Sequence, residues 1–90
     1  MERVTGIGGL FFRSHDSKAL VAWYATHLGV GGDPVWTQDA GPTVFAPFAQ
    51  DTDYFGRDSQ QWKINFRVAD MDAMLAQLAA AGISAETRAE

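Results

Sequence analysis

The sequence contains no cysteine. That excludes disulfides, thiolate zinc sites, iron–sulfur clusters and a cysteine nucleophile together. Imidazole is scarce too, since His15 and His27 are the only 2 histidines available for metal or acid–base work. Lys and Arg number 7 against 11 Asp and Glu, a net charge of −4 and a pI near 4.9. Such a balance argues against a nucleic-acid binder, which needs a basic face. Long apolar runs are missing as well: the longest, Ala19 to Ala25, falls far short of the roughly 18 residues of a membrane helix. The opening Met1-Glu2-Arg3-Val4 has no apolar signal core behind it, so export is not expected. These absences predict a cytoplasmic protein with no nucleic-acid or membrane partner.

What is present is a folding composition: 47% hydrophobic and 12% aromatic residues in a chain of 90. A domain this small buries only part of the surface it exposes when unfolded, so a staple or a partner is expected. Val4 to Arg13 reads as a strand despite Gly6, Gly8 and Gly9, which weaken one. Asp16 stands at an N-cap position ahead of a helix over Ser17–Leu28, with Gly29 as its left-handed exit. A turn at 31–34, a short strand over Val35–Gln38, a turn at Asp39–Pro42 and a strand over Thr43–Ala49 follow. Gln50 to Gln61 is a polar connection carrying Tyr54 and Phe55. Trp62 to Val68 then alternates polar and apolar residues, the pattern of a strand with one covered face. Asp70 caps a second helix over Met71–Ala81, Gly82 closes it, and Ile83–Ala85 begins a further strand before the charged tail from Glu86 to Glu90.

The second half repeats the first. At an offset of 54 positions Phe12 meets Phe66, Arg13 meets Arg67, Asp16 meets Asp70 and Ala19 meets Ala73. Strand, capping aspartate, helix and closing glycine come in the same order, which suggests two copies of one module about a pseudo-twofold. The predicted fold is α+β in one domain, 1–90, with a βαβββ module over 1–60 and an incomplete second βα module over 61–90. A ferredoxin-like order is the alternative.

Gly8-Gly9-Leu10-Phe11-Phe12, Asp16-Ser17-Lys18-Ala19-Leu20, Trp23-Tyr24 with Leu28-Gly29, Thr43 to Phe48, Asp53-Tyr54-Phe55-Gly56 and Asn65 to Ala73 together resemble the vicinal oxygen chelate superfamily. Its members include glyoxalases, bleomycin-resistance proteins and extradiol dioxygenases. The resemblance implies paired βαβββ modules closing a cupped sheet around a ligand or metal. It also implies metal ligands on the first and last strands of each module. Here those places fall on Gly9 and Lys63, on the 43–49 segment, which has no His, Glu, Asp or Gln, and beyond the second helix, where the chain ends. No metal ligand, no catalytic residue and no cofactor is therefore assigned, and the enzyme question stays open.

Alternation on the two opening strands places Phe11 and Arg13 with Gly9 on one face, and Lys63, Asn65 and Arg67 on its counterpart. Arginine forks suit carboxylate oxygens, so a small anionic or amide-bearing ligand is expected there. Trp36 and Phe45, with Phe48, Tyr54, Phe55 and Trp62, serve either to stack on a flat ligand or as core and interface. The candidate ligand-binding set is Phe11, Arg13, Trp36, Phe45, Lys63, Asn65 and Arg67. His27 suits a structural place near a helix C-terminus, and Asp51, Asp53 and Asp58 read as solvated turn residues.

A second module that stops after its helix leaves edges and apolar surface uncovered, and such edges recruit partners. A homodimer is expected, with exchanged elements as one route to it. The preferred function is a metal-free small-molecule-binding module. The alternatives are a metal-dependent lyase or dioxygenase whose site is completed across the dimer, and a ligand-free dimerisation scaffold.

Overall fold

The structure is a computed structural model and describes residues 1–31, 35–57 and 59–86. The turn residues 32–34, the carboxylate Asp58 and the tail from 87 to 90 lie outside the described residues. The chain divides into two units, Met1–Thr37 and Gln38–Glu90.

The first unit is built on α1, Ser17–Leu28. Asp16 holds extended backbone (φ −137°, ψ 93°) while its carboxylate accepts the Ala19 N–H at 3.1 Å. That satisfies one of the amides a helix start leaves open. At the other end Gly29 takes φ +66° and the Tyr24 carbonyl accepts the amides of Gly29 and Val30. A side chain at Gly29 would resist that left-handed backbone, which is why glycine ends the helix here. Leu20, Tyr24, His27 and Leu28 are half-buried, the spacing of a single helical stripe.

The second unit is built on α2, Met71–Ala80. Asp70 repeats the cap, accepting the Ala73 N–H at 3.0 Å. Its exit is a Schellman motif: the Ile83 N–H reaches the Leu78 carbonyl at 2.9 Å and the Gly82 N–H reaches that of Ala79 at 3.0 Å, with Gly82 at φ +77°. The half-buried stripe is Met74, Leu75 and Leu78, continued by Ile83. Leu75, Ala79, Gly82, Ile83, Ser84 and Ala85 line an open groove at this end.

The α+β expectation is corrected. The described residues form two helices and no strand, so neither the βαβββ module with its incomplete second copy nor the ferredoxin-like order is present. The backbone hydrogen bonds described outside the helices join residues only three to six apart, and a sheet needs ladders between distant segments. The physical reasons lie in the segments themselves. Gly6, Gly8 and Gly9 soften the first run, and Pro47 removes a donor from the middle of 43–49. Ile64 and Val68 are half-buried while Lys63, Asn65 and Arg67 are exposed. Phe66 between them is 39% exposed, so the period-two pattern of the sequence is not carried through as burial.

Among the described residues none is buried. The chain presents 8765 Å² to solvent, against about 5,200 Å² for a folded monomer of this mass. No described helix is long and apolar enough to cross a membrane.

Candidate functional site

Three aromatic residues of the second unit, Phe48, Tyr54 and Phe55, are gathered by short-range turn chemistry. The Thr52 N–H donates to the Ala49 carbonyl at 3.0 Å, and the Gly56 N–H to that of Asp53 at 3.0 Å. Between them the Thr52 hydroxyl accepts the Tyr54 N–H at 3.2 Å, a hydroxyl turn that fixes the chain two residues on. Gly56 takes φ +93°, a backbone that favours glycine. Two reversals within eight residues bring Tyr54 and Phe55 back onto Phe48.

The three rings form a triangle. Phe48 lies 5.0 Å from Tyr54 and stacks on Phe55 at 5.4 Å, while Tyr54 and Phe55 meet edge to face at 5.9 Å. These are the separations aromatic pairs prefer. Phe55 is half-buried, whereas Phe48 is 46% and Tyr54 37% exposed. Over the Tyr54 ring sits the Lys63 ammonium, 3.7 Å from its centroid, within the range of a cation–π contact. Gln60 Nε2 donates to the Trp62 carbonyl at 2.7 Å, holding the chain just before Lys63.

Arg67 is engaged elsewhere in the same unit. Its Nη2 donates to the Asp39 carbonyl at 3.1 Å, and its guanidinium occupies the space that a Cβ on Gly41 would need. The absence of a side chain at Gly41 is what lets the arginine lie across the 39–42 turn.

The candidate set read from the sequence has members in both units. Phe11, Arg13 and Trp36 belong to the first unit; Phe45, Lys63, Asn65 and Arg67 belong to the second. Phe11 is 92% exposed, and its ring lies over Gly9, so that a Cβ there would meet it at 2.9 Å. Phe45 is 84% and Trp36 41% exposed, and Arg13 and Asn65 are exposed. Within the second unit Lys63 and Arg67 meet different partners, an aromatic face and a backbone carbonyl. The sequence reading of the set left out Phe48, Tyr54 and Phe55. The signal that finds them is the turn pattern Thr52 to Gly56, which folds a short aromatic-rich stretch onto itself.

The positions that the family resemblance gives to a metal do not fit one. Gly9 offers no side-chain donor atom, and Lys63 directs an ammonium onto Tyr54; a protonated amine has no lone pair for coordination. Among the described residues no group of three or more His, Asp or Glu is placed to hold a metal ion. In α1, His27 packs its ring against Trp23 at 5.2 Å, with Tyr24 edge-on to the same indole at 5.2 Å. This is a packing arrangement one helical turn long.

No protein-family model, no curated protein and no solved structure matches the chain.

Proposed function

We propose that this chain is a small-molecule-binding module that works as a homodimer. The observation that carries the reading is the lack of any buried residue among those described, joined to the apolar character of what is exposed. Val4, Phe11, Val44 and Phe45 lie open to solvent, and each apolar Å² removed from water contributes about 25 cal/mol. The excess over a folded monomer is about 3,600 Å² per chain. An obligate homodimer buries roughly 1,000–2,500 Å² on each partner, so a second copy of this chain would cover part of that excess.

The ligand half of the reading rests on the exposed Phe48 and Tyr54, the half-buried Phe55 and Lys63 beside them. Clustered aromatic faces with one charged group among them are common linings of small-ligand sites. The likeness of the sequence words to glyoxalase and bleomycin-resistance proteins supports the same class of function, without their sheet and without their metal chemistry.

Sedimentation equilibrium and a thermal-shift panel of small aromatic acids, amides and amines test both halves. The expected result is a dimer whose melting temperature rises with at least one class of compound. A monomer at every concentration removes the dimer. A dimer indifferent to the whole panel leaves a dimerising scaffold in place of a binder.

A further inference from the structure

We infer that the Phe48–Tyr54–Phe55 cluster is a binding site for a small methylated ammonium, with Lys63 as its internal occupant. The inference rests on the reading of this chain as a small-molecule binder and is independent of the dimer. An aromatic ring carries negative charge on its face and positive charge at its edge, so a face attracts cations. Tyr54 offers its face to a cation in the structure: the Lys63 ammonium stands 3.7 Å above it. Phe48 and Phe55 pack against that ring at 5.0 and 5.9 Å and fix its position in the loop. Asp51 and Asp53 are exposed on the same loop, as is Arg57, so the favourable term is the ring face itself rather than the local net charge.

Lysine is a strongly hydrated point charge on a flexible stem. Its hold on an exposed ring is worth about 0.5–1 kcal/mol, so it is readily displaced. A methylated ammonium carries the same charge with fewer or no N–H groups to keep hydrated, and its methyl groups suit the aromatic face of Tyr54. Recognition of such cations by clustered aromatic rings is an established use of the contact. Lys63 then acts as a plug that the ligand must push aside.

The test is a titration of the full chain with tetramethylammonium chloride, followed through the aromatic proton resonances of Phe48, Tyr54 and Phe55, the two phenylalanines remaining as reporters when Tyr54 is replaced. Sodium chloride serves as the ionic-strength control and sodium benzoate as the anionic comparison. Saturable shifts are expected, with a Kd lowered about two- to fivefold in Lys63→Met, the worth of the displaced contact, and lost in Tyr54→Leu. Both positions are exposed, and circular dichroism of each variant verifies that the helices persist. Absence of saturable shifts in Lys63→Met overturns the inference, as does binding that survives in Tyr54→Leu. If benzoate binds and tetramethylammonium does not, the cation site falls while the ligand-binding reading stands; if both are silent in a chain that answers no compound of the panel, both fall.

Discussion

Asp16 and Asp70 do the same work with the same geometry. Each holds extended backbone, at φ −137° and −143°, and each carboxylate accepts the amide three residues on, at 3.1 and 3.0 Å. The 54-residue offset read from the sequence thus has a counterpart in the caps. Helices of 12 and 10 residues are marginal in water by themselves, so their starts depend heavily on these two side chains.

Asp16→Ala and Asp70→Ala are each expected to weaken their helix by about 1 kcal/mol, while Asn at either position retains most of the cap. Far-ultraviolet circular dichroism reads the loss. Unchanged helicity in both alanine variants would mean that the caps contribute nothing and that packing alone holds the helices.

Gly41 and Arg67 are expected to act as one unit. Gly41→Ala pushes the guanidinium off the Asp39 carbonyl, so it costs the same hydrogen bond as Arg67→Ala, about 0.5–1.5 kcal/mol. In a double-mutant cycle the combined variant should cost little more than the worse single change. Simple additivity in denaturant titrations would show that the contact is not formed in solution.

The glycines separate by their backbone. Gly29→Ala is expected to cost about 1 kcal/mol, because φ +66° is hard on a residue with a Cβ. At Gly6 and Gly8 a Cβ meets nothing within 4 Å. Alanine there is expected to be neutral or to stabilise by about 0.4–1 kcal/mol through the unfolded chain. Thermal melts of the three variants order them; a Gly29→Ala protein as stable as the parent would contradict the cap.

Phe45→Ser tests the apolar surface. Burying a phenylalanine contributes about 1.5–3 kcal/mol, so its removal from each copy is expected to weaken dimerisation about tenfold or more. Sedimentation equilibrium supplies the constant. A dimer as tight as that of the parent would place Phe45 outside the interface and return it to solvent.

The helices were legible in the sequence because everything that makes them is local. A capping aspartate, an apolar stripe at helical spacing and a closing glycine all lie within a dozen residues, and α1 spans Ser17–Leu28 as that pattern predicts. The strands were not legible in the same sense. Trp62 to Val68 carries the alternation of a strand, yet a strand exists only when another segment supplies the ladder, and alternation does not name a partner. The site follows the same division. Tyr54 and Phe55 fold onto Phe48 through turns readable at Thr52 and Gly56, whereas the reach of Arg67 to Asp39, 28 residues away, depends on a chain path that no local pattern encodes. Alternation puts Lys63 on one face with Asn65 and Arg67, whereas its place on Tyr54 is a contact across a loop.

The short reach of the backbone hydrogen bonds outside the helices, three to six residues, also sets a timetable. Caps, turns and helices of this kind close in microseconds or less, since little loop entropy opposes them. None of them waits for a distant segment. In the proposed dimer the slow event is the meeting of two chains, a second-order step whose rate rises with the concentration of the protein. Diluting the refolding mixture would leave the first kinetic phase unchanged and stretch the last.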